Sequence, residues 1–286
     1  MGECSGEENI VEKPKRNNYK NRRKMKMKYT EGYLAFIDIL GFSNYVGDEN
    51  NGEKTYIMFE FVKKFCYLFN SSPELQVEVS FFSDTIIITS DEFEKLLLPI
   101  YIAESYLKDK LNLLFRGSIV YGKYYHSEGT TFGPAVIEGY ALEKNAIYSR
   151  ILIADNIKRP ETREESMYSF IDIDGYRCLN TYGLIFTEII SSTPEGIVYP
   201  KDITRKVIET LSNKKEELIK QIKKYKGTKV VEKYLWRIRP YNYTCDFIIN
   251  IPIEETIYET VNYVMNSDLK EKVSKLIITK EDIFVI

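Results

Sequence analysis

Apolar positions along this chain follow two spacings, and each change of spacing marks an element. Tyr33-Leu-Ala-Phe-Ile-Asp-Ile-Leu40 is a run of aliphatic and aromatic residues broken by one acid, the pattern of a buried strand that Gly41 ends. The spacing then turns helical: Ile57, Phe61, Phe65 and Leu68 fall on one face of a helix spanning about 53–70. Two further apolar runs, Val77–Phe82 and Thr85–Thr89, flank Ser83-Asp84 and predict a hairpin with an acid at its tip. A second helix is expected over 92–111, with Pro99 as a place for a bend, and Leu113–Tyr121 predicts another strand ending at Gly122.

Strand, helix, hairpin, helix, strand is the βαββαβ order of a ferredoxin-like unit, so the expected fold class is α+β. Beyond it, 133–145 reads as a helix with Pro134 in its first turn, and Arg150–Ala154 as a strand. Phe170–Leu179 predicts a hairpin turning at Asp174-Gly175. Thr204–Lys226 predicts a long amphipathic helix with Val207, Leu211, Leu218 and Ile222 inward, stopped by Gly227. Thr244–Ile251 reads as a strand. There is no internal repeat and no clear linker. Residues 1–29, acidic and then basic with few apolar anchors, are expected to be a disordered tail before one elaborated domain over 30–286.

Composition narrows the classes. The chain has 286 residues, 44% of them apolar, enough for a sizeable core. Charged residues make up 29% and leave a net charge of −2, so nothing draws the body as a whole to nucleic acid or to a membrane surface. The basic part of the tail leaves a nucleic-acid-binding arm as one reading and a solvated tail as the other. Four cysteines without a CxxC pair argue against a disulfide framework or zinc cluster and suit a reducing cytoplasm. The single histidine, His126, excludes multi-histidine metal centres. No apolar run approaches the ~20 residues of a membrane span.

Two acids stand in apolar surroundings. Asp38 interrupts a strand and Asp84 tips a hairpin. A buried carboxylate is costly unless it is paired or holds a cation. In a βαββ unit the end of the first strand lies beside the hairpin tip, so the two acids can converge on a hard oxygen site for Mg2+ or Mn2+. The bland readings are a turn residue at Asp84 and a strand-end cap at Asp38.

Phe36-Ile-Asp-Ile-Leu-Gly-Phe-Ser43 resembles the F-x-D-I-x-G-F-S/T signature of class III nucleotide cyclases, and Phe82-Ser-Asp84 their second metal motif. Arg116-Gly-Ser-Ile-Val-Tyr-Gly122 resembles their R-x-G-I-x-x-G strand, and Gly133–Glu143 the G-D-A-V-N-x-A-x-R-L-E helix after it. The motifs come in family order over about 33–145, so the cyclase core is placed at 33–155 with a C-terminal elaboration over 156–286. The resemblance implies that Asp38 and Asp84, with the Ile39 carbonyl, hold two divalent ions, Mn2+ or Mg2+. Arg116 and the backbone around Phe42 and Ser43 would then bind the triphosphate, and the active sites would lie in a homodimer.

The departures are specific. The adenine-reading Lys and its partner Asp are replaced by Ser80 and Thr130, and the transition-state Asn and Arg by Ile137 and Ala141. The details around Leu40-Gly-Phe-Ser43, Gly122–His126, Gly133-Pro-Ala, Tyr148-Ser-Arg150, Lys233-Tyr-Leu-Trp236 and Tyr241-Asn242 are similar to the Pycsar pyrimidine cyclases of bacterial antiphage defence. That resemblance implies conversion of UTP, slightly favoured over CTP, to a 3′,5′-cyclic monophosphate sensed by a separate effector. Tyr33, Phe36, Tyr45 and Ser80 are the candidate base contacts. Arg150 is a candidate for the missing Arg or a salt-bridge residue, and His126 is expected to be structural. A degenerate cyclase that only holds a nucleotide is the alternative.

Overall fold

A computed structural model of the chain describes residues 28–127, 129–158, 166–184, 200–251, 256–258, 263–264 and 267–284. The expected tail over 1–29 falls almost wholly outside them. The first half runs β1 (Thr30–Leu40), α1 (Phe42–Val46), α2 (Gly52–Asn70), β2 (Val77–Phe82), β3 (Thr85–Ser90), α3 (Leu97–Leu111) and β4 (Leu114–Ser127). The four strands lie in the order β2-β3-β1-β4 with every neighbouring pair antiparallel. This is the ferredoxin-like arrangement, with the first strand in the interior. β5 (Thr130–Phe132) folds back on the end of β4, and α4 (Pro134–Glu143) follows. The sheet then continues through β6 (Ile151–Ile153), which is parallel to β4. Beyond β6 come the antiparallel pair β7 (Ser169–Ile171) and β8 (Arg177–Leu179), with β8 next to β6. The class is α+β on a mixed sheet.

β1 begins at Thr30, three residues before its apolar run, and β4 extends to Ser127. Each supplies the other's backbone partners there, as in Thr30↔Tyr124 and Glu31↔Lys123, so polar residues are held in strand by pairing alone.

α2 packs one sheet face with Met58, Phe61, Phe65 and Phe69 buried. The expected stripe ended at Leu68, which is instead exposed. Phe69 takes its place because the stack needs a ring there: Phe65 and Phe69 meet edge-on at 5.0 Å, and Phe61 stacks on Tyr106 of α3 at 4.2 Å. At the end of α2, Asn70 satisfies the outer side of the edge strand β2. Its Nδ2 donates to the Val79 carbonyl at 2.9 Å, and the Val79 N–H donates to its Oδ1 at 2.7 Å. Pro99 introduces no break. It sits in the first turn of α3, where the backbone amides have no intrahelical partner.

α4 covers the opposite face at close range. A Cβ on Gly139 would stand 3.1 Å from Phe36 Cβ, and Ser118 Oγ donates to the Gly139 carbonyl at 2.6 Å. Gly117 allows β4 to approach β1: a Cβ there would meet the Phe36 carbonyl oxygen at 2.5 Å.

The second half adds α5 (Pro200–Lys224), α6 (Val231–Asn250), the short pair β9 (Thr256–Tyr258) and β10 (Tyr263–Val264), α7 (Ser267–Ser274) and α8 (Lys280–Phe284). α5 buries Val207, Leu211, Leu218 and Ile222 in a second core. The strand expected at Thr244–Ile251 is instead the end of α6. Tyr241, Cys245 and Ile248 recur at helical spacing and are fully buried, and Thr244 Oγ1 donates to the Pro240 carbonyl one turn back at 2.9 Å. Packing against α5 and α7 overrides the strand propensity of the β-branched and aromatic residues. Among the described residues no helix is long and apolar enough to cross a membrane.

Asn70→Ala removes both hydrogen bonds to the edge of β2. It is expected to lower unfolding stability by about 1–2 kcal/mol, read by urea denaturation at an unchanged m value.

Candidate functional site

Asp38 lies two residues before the C-terminal end of β1. Its cross-strand partners are Thr85 on β3 and Arg116 on β4. The two-residue turn Ser83-Asp84 brings the second acid beside it, with Ser83 in the left-handed region at φ 56°. The Ile39 N–H donates to the Asp84 carbonyl at 2.8 Å, which fixes the turn against the end of β1. The two acids, 46 residues apart in sequence, thus meet at the same end of adjacent strands, and the Asp84 charge acts on Asp38.

Arg116 organises the acids around it. Its Nε–H points at Asp38 Oδ2 at 3.2 Å, and Glu143 Oε1, from the end of α4, lies 2.6 Å from the same nitrogen without a well-directed N–H. Glu143 is buried, with 3% of its side chain exposed, whereas Arg116 keeps 30%. The terminal guanidinium nitrogens form no hydrogen bond among the described residues, so they remain open to an incoming anion. Burial pushes the Asp38 carboxyl above the ordinary value; Arg116 pulls it back, and Asp84 pushes it up again. Burial raises Glu143 likewise, opposed by Arg116 and reinforced by Asp38. Lys233, in the first turn of α6, adds a second cation. Burial holds its ammonium below the usual value, Arg116 lowers it further, and Asp38 raises it.

Among the described residues no group of three or more His, Cys, Asp or Glu could hold a metal ion. A cation here would rest on Asp38, Asp84 and the Ile39 carbonyl, an all-oxygen set suited to Mg2+ or Mn2+. The electrostatics fit it. Asp38 and Glu143 share one guanidinium, and both carboxyls are raised chiefly by burial and further by a neighbouring acid, Asp84 for Asp38 and Asp38 for Glu143.

The other sequence candidates divide. Ser43 is exposed and Phe42 half-buried in the first turn of α1, directly after Gly41 at φ 81° and next to the acids. Tyr33 is not at the site. Side chains alternate along a strand, so it stands on the sheet face opposite Asp38 and roughly 16 Å away along β1, its ring edge-on to Phe93 and Tyr121. Phe36 shares the Asp38 face but is buried under α4, with its ring 5.8 Å from Tyr140. Tyr45 is buried in the main core. Ser80 Oγ is engaged with Thr131 Oγ1 at 2.7 Å, and Thr131 with His126 Nδ1 at 2.7 Å, making an internal polar cluster in which burial lowers the imidazole pKa.

Arg150 is a structural residue. It is 2% exposed, with Nη1 on Asp172 Oδ2 at 2.6 Å and Nη2 on Asp174 Oδ2 at 2.5 Å. Asp172 also accepts from Trp236 Nε1 at 2.7 Å and pairs with Arg239 Nε at 3.1 Å, tying α6 to the sheet. Glu143, paired with Arg116, and Lys233, within the field of Arg116 and Asp38, are charged groups of the candidate site that sequence reasoning did not single out. The signals available were the acid closing the helix motif and the lysine opening the Lys233–Trp236 segment.

No family model matches the chain, and no curated protein matches it. The solved structures similar to part of the chain include the following three. Two are structures of a bacterial light-regulated adenylyl cyclase, at 16% identity over 44% of this chain and 43% of that chain with TM-score 0.33, and at 14% identity over 54% and 52% with TM-score 0.36. The third is an adenylate/guanylate cyclase/hydrolase from Silicibacter pomeroyi, at 16% identity over 47% and 87% with TM-score 0.32. The match spans about half the length of the first two chains.

An acid whose folded pKa is raised binds its proton more tightly when folded. Ionised at neutral pH it subtracts stability, and that loss disappears as pH falls below the ordinary carboxylate value. Asp38→Asn is therefore expected to melt above the wild type at pH 7.5, with the gap closing toward pH 4 in thermal unfolding scans. A lower melting point at pH 7.5 would show that the Arg116 contact outweighs burial.

Proposed function

We propose that this chain is a pyrimidine nucleotide cyclase. It converts UTP, in preference to CTP, to the 3′,5′-cyclic monophosphate and pyrophosphate. The observation that carries the reading is the meeting of Asp38 and Asp84 beside Arg116 at one end of β1 and β3. The acids and the Ile39 carbonyl would hold two divalent ions, Mn2+ or Mg2+, which would supply Lewis acidity when bound. Arg116 takes phosphate oxygens on its free nitrogens, and the first-turn amides at Phe42 and Ser43 receive others. Glu143 holds the guanidinium in place from its buried side. In-line attack of the 3′-oxygen on the α-phosphate then expels pyrophosphate.

The exposed apolar side chains Phe82, Ile137 and Tyr140 suit a homodimer, in which a second copy covers them. The product acts as a cytoplasmic signal in antiphage defence, read by a separate effector. The cyclase domain covers 30–286, with its core motifs at 33–155.

A second reading has its own observation. Ile137 and Ala141 replace the Asn and Arg of related helices, and Arg150 is locked in a buried ion pair, so no arginine has taken over the transition-state role from there. A nucleotide-holding module without turnover would look like this.

Purified protein with Mn2+ and each of the four nucleoside triphosphates is expected to yield cyclic UMP by mass spectrometry, with matching pyrophosphate release. Asp38→Ala and Asp84→Ala should bring both to background. A cyclic purine product would refute the pyrimidine assignment, and nucleotide binding without release would establish the module.

A further inference from the structure

Lys233 stands in the first turn of α6, a helix of the C-terminal layer far in sequence from the motifs at Asp38, Asp84 and Arg116. Three features of its placement are unfavourable for a lysine with no function. It is half-buried, and a partly desolvated ammonium needs a counterion. It forms no hydrogen bond or ion pair from its side chain among the described residues, although it lies within the field of both Asp38 and Arg116. Finally, the first turn of a helix is its positive end, where a cation is electrostatically disfavoured.

The position is held rigidly. Tyr234, the next residue, stacks on Tyr225 with ring centroids 5.4 Å apart and planes 7° from parallel. Asn112 Nδ2 donates to Tyr225 Oη at 2.8 Å, and Tyr234 Oη donates to Asn112 Oδ1 at 3.5 Å. Asn112 lies two residues before β4, whose first residue, Leu114, pairs with Leu40 at the end of β1. The same clamp therefore fixes the start of α6 to the end of the sheet that carries Asp38 and Arg116. Arg150, the other sequence candidate for a cation there, is consumed by Asp172 and Asp174.

We propose that Lys233 is a substrate-binding residue whose ammonium, together with Arg116, grips the polyphosphate of a nucleoside triphosphate, so that the C-terminal helical layer completes the active site. The assignment rests on the nucleotide cyclase reading for its substrate. The anion it requires is a polyphosphate whatever the base. It accounts for a cation placed against its local electrostatics: the missing counterion arrives with the ligand.

The test is calorimetric titration of the full chain with inorganic tripolyphosphate, which needs no turnover, beside steady-state kinetics with the preferred triphosphate. Lys233→Gln is expected to weaken tripolyphosphate binding by about ten- to a hundredfold, the scale of one hydrogen bond between charged groups. It should also raise KM with a melting temperature at or above that of the wild type, since a poorly placed charge is removed. Lys233→Arg should restore most of the affinity, and Lys229→Gln, an exposed lysine of the preceding turn, should leave it unchanged. No tripolyphosphate binding by the wild type, or an affinity in Lys233→Gln within twofold of wild type, overturns the proposal. Binding that depends on Lys233 in a protein that cyclises no triphosphate would instead uphold the polyphosphate site and refute the cyclase reading, so the two fail separately.

Discussion

Everything at the candidate site depends on β1 being hydrogen-bonded along both edges. With β3 on one side and β4 on the other, its backbone has no freedom to slip, and a one-residue shift would turn Asp38 to the opposite face of the sheet. The register aligns Asp38 with Thr85 and Arg116, and the Ile39 N–H secures the Asp84 turn. An acid in an apolar strand is a stability cost, and the lattice of main-chain bonds around it supplies the rigidity that makes the cost bearable. Gly117 and Gly139 belong to the same arrangement, since they let β4 and α4 come close enough to β1 for Arg116 and Glu143 to reach the acid from two sides.

Charge is distributed unevenly over that scaffold. Asp38 feels the charge of Asp84 on one side and of Glu143 on the other, and among the described residues Arg116 is paired to two of these acids while the Lys233 ammonium is paired to none. The guanidinium is oriented through its Nε, and among the described residues neither its outer nitrogens nor the Lys233 ammonium forms a hydrogen bond or ion pair. An arrangement of this kind is poorly satisfied alone and well satisfied by a polyanion arriving with divalent cations, in line with the chemistry we assign to it.

Much of this was legible in the sequence because the informative residues broke a local rule. Asp38 and Asp84 interrupt apolar runs, and the strand and helix periods on either side predict which ends of the elements meet. Tyr33 shows a misreading that alternation could have prevented: five residues from Asp38 in a strand is an odd step, so the two face apart. Leu68 and Phe69 are adjacent apolar residues, and only the stacked rings of Phe61, Phe65 and Tyr106 decide which turns inward. The end of α6 was misread because β-branched and aromatic residues favour strands locally, and its helical stripe becomes decisive only when α5 and α7 lie beside it. Glu143 and Lys233 could not be ranked, because an acid closing one helix and a lysine opening another are ordinary until β4 and β1 are placed next to them.

The knot of Arg150, Asp172, Asp174, Trp236 and Arg239 has a consequence for how this architecture can be divided. Arg150 belongs to the motif-bearing half of the chain, yet each of its carboxylate partners comes from the half that follows. Cutting the polypeptide after β6 would remove both carboxylates from Arg150 together with Phe170, Cys178 and Trp236 of the small core beside it. The motif region is therefore not a transplantable cassette. The later segments act as its internal counter-charge, and the two halves are bound to gain or lose order together.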